Sequence, residues 1–184
     1  METLFKNIHQ ETIDQCRSGD QKAQFRLYEL YYKAMYSVSL RIVNDEMEAE
    51  DIMQESFLKA FKKIHAYRGE VSFGAWLKKI VVNSSLDYLK KRKVQFDQLD
   101  ERIMEKPDDT IERKEVDVSL IKKAISCLPD GYRTILSLYL IEGYDHDEIS
   151  TILGISNSAS RTQYSRAKNK LGELLKGKEM FLYN

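Results

Sequence analysis

The sequence predicts an all-α protein in which two small helical domains are joined by a flexible acidic linker. Helix-breaking residues are scarce, because the 184 residues include only 2 prolines and 8 glycines, while Lys, Glu, Leu and Ile occur throughout. Apolar residues recur at three- and four-residue steps, which is the period of an amphipathic helix. This pattern decays between residues 94 and 117, where acidic residues dominate and a linker is expected.

The first expected domain covers residues 1–93 and contains three predicted helices. A break at residues 18–20 precedes a long amphipathic helix, predicted from Gln21 to about Val43. A second helix is expected to start at Asn44 and Asp45, and a turn at residues 67–70 separates it from a third helix, which Ser72 caps. Each helix carries its apolar residues on one stripe, so we expect the three stripes to pack together.

The second expected domain covers residues 118–184. It begins near Val118, breaks at Leu128 and Pro129, and continues as a helix from Asp130 to Ile141. Residues 177–184 are expected to be a frayed tail. Two helical domains on a tether suit a protein that binds two separated sites at once, because tethering raises the effective concentration of the second domain.

Residues 143–171 have the pattern of a helix-turn-helix. Asp145 is a good N-cap for a first helix, and Gly154 can adopt the left-handed conformation that ends it. Ser156 then caps a second helix rich in side chains that bind base edges or phosphates, and we expect five of them to face DNA: Arg161, Thr162, Gln163, Ser165 and Arg166. The alternative is an ordinary helical hairpin on the surface of the protein.

Two serines depart from the usual helix-turn-helix pattern. Ser150 stands where such units usually have Ala, and Ser160 stands where they usually have a branched apolar residue. Both are expected where the helices cross, so they could change how the second helix sits in a DNA groove. His146, at the start of the first helix, is expected to be exposed to solvent.

The charges are segregated although the formal net charge is zero. Lys and Arg far outnumber acids between Lys59 and Lys93, whereas acids dominate between Asp97 and Asp117. Such asymmetry indicates a polyanion-binding surface next to an acidic connector.

The composition excludes several other classes of protein. No apolar run approaches the roughly 20 residues that span a bilayer, and the start of the chain does not resemble a signal peptide, so we expect a cytoplasmic protein. Cys16 and Cys127 match no metal-ligand or redox spacing and are expected to be two reduced core thiols. No nucleophile, cofactor motif or phosphate-binding glycine loop is evident, so we expect neither an enzyme nor a cofactor.

Four motifs occur in a fixed order along the chain. They are residues 49–61 (AEDIMQESFLKAF), residues 73–93 (FGAWLKKIVVNSSLDYLKKRK), residues 128–133 (LPDGYR) and the helix-turn-helix. Together they resemble the sigma-70 family of RNA polymerase sigma factors over residues 19–93 and 120–176. The first domain resembles region 2 and the second region 4, and with no region 3 between them the chain looks like an extracytoplasmic-function sigma factor.

The resemblance implies a role for each motif. The residues expected to meet the clamp helices of core RNA polymerase are Glu50, Asp51, Gln54 and Glu55, with Ile52, Met53 and Phe57 as apolar contacts or core. A metal site is the alternative for these acids, but no histidine accompanies them and helical spacing scatters them. The residues expected to contact the −10 promoter element are Tyr67, Arg68, Lys78, Lys79, Asn83, Asp87, Lys90, Lys91 and Arg92. Trp76 is expected in the core, and the five helix-turn-helix residues should read the −35 element.

The function implied is a promoter-specificity subunit of bacterial RNA polymerase. Its expected partners are core RNA polymerase, promoter DNA and an anti-sigma factor, without insertion in a membrane. Arg133 could contact a phosphate or cap its own helix. Two rival interpretations remain open at this point: a regulator that binds duplex DNA and dimerises through its first domain, and a helical adaptor that binds only proteins.

Overall fold

The computed structural model describes residues 8–96 and 118–181, and every regular element within these two ranges is helical. This confirms the all-α prediction. The chain divides near residue 90 into two compact units, each of which has its own buried core. The linker was predicted at residues 94–117; residues 94–96 belong to α4, and residues 97–117 lie outside the described residues.

The first unit, which ends at Leu89, contains three helices, a short 3-10 turn and most of a fourth helix, whose last residues belong to the second unit. The elements are α1 (Gln10–Arg17), α2 (Gln21–Val43), α3 (Glu46–Lys62), the 3-10 turn Ile64–Ala66 and α4 (Phe73–Phe96). The Asp20 side chain caps α2 by accepting hydrogen bonds from two backbone N–H groups, and Asp45 caps α3. Asn44 ends α2 in the left-handed conformation, with φ 56°. Helix α4 continues three residues beyond the predicted end at Lys93.

The core of the first unit forms where α2, α3 and α4 bury their apolar stripes. Leu27, Phe57, Phe73 and Leu77 are almost wholly buried, and each side chain of this size contributes about 1.5–3 kcal/mol when removed from water. One polar contact crosses this core, because the Ser85 hydroxyl of α4 donates to the Ser39 hydroxyl of α2 at 3.1 Å. This hydrogen bond joins α2 to α4 within the packed core.

The second unit contains four further helices. They are α5 (Val118–Ser126), α6 (Asp130–Leu136), which continues as a π-helical turn (Ser137–Ile141), α7 (His146–Leu153) and α8 (Asn157–Phe181). Helix α8 ends at Phe181, so it includes residues 177–181 of the segment that the sequence predicts to be a frayed tail. Residues 182–184 lie outside the described range.

Arg133 has a structural role in the second unit. Its side chain is only 3% exposed, its guanidinium donates to the Leu128 carbonyl at 2.8 Å, and it pairs with Asp130 at 2.6 Å. These contacts hold the break at Pro129 against α6. Because the guanidinium is buried and its donors are used within the second unit, Arg133 stabilises the start of its own helix instead of contacting a phosphate.

The two cysteines differ in environment. Cys16 is buried, and desolvation, with a smaller contribution from Asp20, raises the pKa of its thiol to about 11. It therefore stays protonated and unreactive near neutral pH. Cys127 is exposed, which corrects the expectation of two core thiols, because it lies on the outer side of the turn after α5.

Candidate nucleic-acid and protein interfaces

Helix α3 presents a polar face that is opposite its buried stripe. Glu50, Asp51, Gln54 and Glu55 are all exposed. The buried residues of the same helix form the core side: Ala49, Ile52, Met53, Ser56, Phe57 and Ala60. Of the two roles left open for Ile52, Met53 and Phe57, the structure therefore assigns them to the core.

Sequence reasoning missed two apolar residues on this same face. Met47 is 80% exposed and Leu58 is 61% exposed. Met47 lies four residues before Asp51 and seven before Gln54, and Leu58 lies seven and four residues after them. Helical spacing therefore places all four side chains on one face. Both residues are apolar but fall outside the periodic apolar stripe of α3, and this mismatch could have indicated that they are exposed. The face thus combines acids at its rim with apolar surface, the usual composition of a protein-binding site. We call these six residues the α3 face.

Lys59 connects the α3 face to α4. Its ammonium lies 3.8 Å from the Glu55 carboxylate and donates to the Ser84 hydroxyl of α4 at 3.1 Å. The Gln54 amide also donates to Glu50 at 3.3 Å. These contacts orient part of the acidic rim. In the described ranges, no three His, Cys, Asp or Glu side chains come together as a metal site.

The loop before α4 is anchored by Tyr67, which corrects the expectation that this side chain contacts DNA. Tyr67 is 2% exposed, and its ring packs against Phe73 and Trp76 at centroid distances of 5.6 and 5.3 Å. Its hydroxyl donates to the Val71 carbonyl at 2.6 Å, and Arg17 of α1 donates to the Tyr67 carbonyl at 2.6 Å. The neighbouring Arg68 is exposed. The tyrosine therefore shapes the loop, and the arginine remains available at its surface.

Substitution of Tyr67 is expected to lower the stability of the protein. Tyr67→Phe removes the hydrogen bond to Val71 and should cost about 1 kcal/mol, whereas Tyr67→Ala also leaves a cavity and should cost about 3–5 kcal/mol. The matched control Arg68→Ala should change the free energy of unfolding by no more than about 0.5 kcal/mol. Equilibrium urea unfolding measures all three. A fully stable Tyr67→Ala variant would contradict the anchoring role of Tyr67.

The exposed side of α4 carries cationic, neutral polar and acidic groups. Lys79, Asn83 and Asp87 are exposed and recur every four residues, so helical spacing puts them on one face. Lys90 and Lys91 follow and are also exposed, while Lys78 is half-buried. Trp76 packs against Tyr67 and Phe73 but is only half-buried, so it lies at the edge of the core in which it was expected.

Arg92, near the end of α4, forms an ion pair. It belongs to the second compact unit, where its guanidinium meets the Asp130 carboxylate at 2.5 Å. Asp130 is shared with Arg133, so one carboxylate holds two guanidinium groups.

The helix-turn-helix forms as the sequence predicts. Asp145 and Glu148 make a reciprocal capping box at the start of α7, and Gly154 ends the helix with φ 68°. Helix α8 buries Ser160, Ala167 and Leu171. Its other side exposes Arg161, Thr162, Ser165 and Arg166, while Gln163 is half-buried at the edge.

A chain of hydrogen bonds orients Arg161. Its Nε donates to Asn157 Oδ1 at 2.8 Å, and the Asn157 amide donates to the Asp147 carboxylate at 2.6 Å. Asn157 was not predicted to be a functional residue, although its polar side chain directly after the Ser156 cap could have indicated a role in the helix-turn-helix. Thr162 donates its hydroxyl to the Ser158 carbonyl at 2.9 Å, which leaves lone pairs as acceptors toward solvent.

His146 is half-buried, which corrects the expectation of full exposure. Its ring is stacked on Tyr139 at 4.7 Å and meets Tyr164 edge-on at 5.6 Å. Burial, with a smaller contribution from Tyr139, raises the pKa of Tyr164, so this phenol is neutral at physiological pH. The Nδ1 atom of His146 lies 2.9 Å from the hydroxyl of Ser160, which is fully buried.

Comparison with known proteins gives two family matches. A model described as Sigma-70 region 2 matches residues 27–94, and one described as Sigma-70, region 4 matches residues 119–171. The RNA polymerase sigma-H factor of Pseudomonas aeruginosa is 26% identical over 186 residues, covering 94% of this chain and 96% of the relative. The ECF RNA polymerase sigma factor SigM of Bacillus subtilis is 30% identical over 155 residues, covering 80% and 92%.

Two solved structures have a similar fold. One is the sigma factor RpoE of Bartonella quintana in complex with the anti-sigma factor NepR, with a TM-score of 0.58, 24% identity, and coverage of 82% of this chain and 95% of that one. The other is CnrH in complex with the cytosolic domain of CnrY, with a TM-score of 0.55, 23% identity, and coverage of 90% and 96%. At this identity, the likeness concerns the fold.

Proposed function

The chain belongs to the sigma-70 family of RNA polymerase sigma factors, in its extracytoplasmic-function group, and we propose which of its residues carry each step of promoter recognition. A sigma factor directs core RNA polymerase to specific promoters, and regions 2 and 4 are the parts that recognise promoter DNA. Both regions are matched here in order on one chain. In each region, helices pack one side into the core and expose polar side chains on the other side. This observation supports the proposal.

The α3 face is proposed to bind core polymerase. Glu50, Asp51, Gln54 and Glu55 would meet basic and polar side chains on the partner, while Met47 and Leu58 supply apolar contact area. Complementary charge at a rim speeds association and selects the partner, whereas buried apolar area holds the complex together. The four polar residues are exposed and lie on one helix, so a single docking event can engage all of them.

Helix α4 and the loop before it are proposed to bind the −10 element. Arg68, Asn83 and Asp87 are exposed polar groups that can hold a base after it leaves the stack. The exposed lysines of α4, with Lys78, would follow the phosphate backbone: Lys79, Lys90 and Lys91. Arg92 is proposed to contribute as well, through its positive charge near the phosphate backbone. Tyr67 is buried beneath the loop and stabilises its conformation.

Helix α8 is proposed to read the −35 duplex from the major groove. Arg161 and Arg166 can bind guanine edges or phosphates, and Thr162 and Ser165 can bind either bases or backbone. Gln163, at the edge of the exposed side, can reach an adenine or a phosphate. The Asp147–Asn157–Arg161 chain supports this role, since it holds one arginine in place before DNA arrives.

The proposed partners are core RNA polymerase, promoter DNA and an anti-sigma factor. The last is supported by the two similar structures, each of which is described as a complex with such a regulator or with a cytosolic domain. We propose that the chain performs no chemistry of its own, since the polymerase makes the RNA, and that it works in the cytoplasm where the polymerase and chromosome are. Within residues 8–96 and 118–181, no helix has the length and hydropathy of a membrane span.

Co-elution with bacterial core RNA polymerase tests the proposal directly. The purified full chain, shown to be free of any inhibitor, should elute with core enzyme as a stable one-to-one complex at moderate salt. The resulting holoenzyme should then make transcripts that core enzyme alone does not start. No complex, together with tight binding of the chain alone to a palindromic duplex, would favour a helix-turn-helix regulator instead.

A further inference from the structure

Ser160 is a buried polar residue at the contact between α7 and α8. It is fully buried, and it occupies the position where helix-turn-helix units usually have a branched apolar side chain. A serine is too small to fix the angle between two helices by shape alone. Its hydroxyl must also find a partner, because a buried polar group without one is unfavourable.

His146 is that partner, and it is held rigidly. Its Nδ1 atom lies 2.9 Å from the Ser160 hydroxyl, which can donate or accept and so pairs with either tautomer. The imidazole lies between Tyr139 and Tyr164, and these two rings are themselves 4.5 Å apart. Three elements therefore meet at this histidine: the π-helical turn, α7 and α8.

The hydrogen bond has a direct consequence for the exposed side of α8. Arg161 and Thr162 follow Ser160 in the sequence, so a rotation of α8 about its axis moves their side chains together. Hydrogen bonds to base edges tolerate only a narrow range of distance and angle. A packed apolar side chain can slide, whereas a hydrogen bond is directional and fixes the rotation of the helix.

We propose that His146 is a positioning residue for promoter recognition, which fixes the rotation of α8 through its hydrogen bond to Ser160 and thereby sets the −35 preference. The inference rests on the proposed function of α8. His146 itself contacts no DNA in this scheme. Its partner Ser160 is buried, so both act only through the placement of Arg161 and Thr162.

The test uses holoenzyme assembled from full-length chain and core polymerase, on promoters with a randomised −35 element and a fixed −10 element. His146→Phe keeps an aromatic ring but removes the nitrogen, and it should lower discrimination between preferred and other −35 elements by at least about fivefold. His146→Asn offers an amide near the position of Nδ1 and should restore most of the preference. Core binding should not change in either variant.

Two further variants separate positioning from general damage. Ser160→Ala removes the other partner and should match His146→Phe, and the double variant should be no worse than either single one, because both remove the same interaction. Ser150→Ala is the matched control, since the Ser150 hydroxyl bonds only within its own helix, to the Asp147 carbonyl at 2.7 Å. It should leave the −35 preference unchanged.

The outcomes are distinguishable. A wild-type preference that survives in both His146→Phe and Ser160→Ala would overturn the positioning role and leave the proposed function intact. Failure of His146→Asn to recover, with additive single variants, would show that His146 and Ser160 act independently and would overturn the positioning role. A wild-type holoenzyme without any −35 preference would overturn the positioning role and the proposed −35 recognition together.

Discussion

Replacement of Arg161 and Arg166 by alanine is expected to abolish transcription from a −35-dependent promoter. Both guanidinium groups lie on the exposed side of α8, and Arg161 is oriented by Asn157 at 2.8 Å. Each good bidentate contact to a base contributes about 1–3 kcal/mol, so the loss of two should weaken promoter binding by about 30-fold or more. Run-off transcription on a promoter with an intact −35 element measures the effect.

Core binding should survive this double substitution, because the α3 face is on a different unit. The matched control is Lys122→Ala with Lys123→Ala, which removes two exposed cations of the second unit outside the helix-turn-helix. It should leave transcription close to the wild-type level. Full activity of the Arg161 and Arg166 variant would instead favour a helical adaptor that binds only proteins.

Charge reversal at Asp51 and Glu55 is the second large effect that we expect. Both carboxylates are exposed on the α3 face, where the partner is proposed to be basic. Asp51→Lys with Glu55→Lys places like charges against that partner and should weaken core binding by about tenfold or more, with a larger effect at low salt. A competition assay, in which the variant and labelled wild type compete for core polymerase, measures the change in affinity.

The control for charge reversal changes the same formal charge elsewhere in the first unit. Glu11→Lys with Glu29→Lys alters two exposed acids on α1 and α2 and should bind core polymerase nearly as well as wild type. Loss of the exposed Glu55–Lys59 pair should change stability by less than about 1 kcal/mol, so unfolding would not account for weaker binding. Equal affinity of the charge-reversed variant and wild type would remove the α3 face as the polymerase site.

Local features of the chain were predictable because they depend on neighbours in the sequence. Asp20, Asp45 and Asp145 cap their helices because a carboxylate accepts from N–H groups two or three residues later. Gly154 ends α7 because glycine alone adopts a positive φ at little cost. The exposed cations of α4 and α8 follow from helical period once the buried stripe is known.

Other features depend on contacts between distant parts of the chain. A polar loop sequence gives no sign that Tyr67 is buried, and its contact with Arg17 joins residues 50 positions apart. Met47 and Leu58 can be identified as exposed apolar residues only when the buried side of α3 is known. The sequence by itself determined the helices other than α1 (Gln10–Arg17), their caps and the family. Only the tertiary structure decided that Tyr67 is an anchor, that Arg133 is structural and that His146 pairs with Ser160, because burial and hydrogen-bond partners are set by packing between elements, which local pattern does not encode.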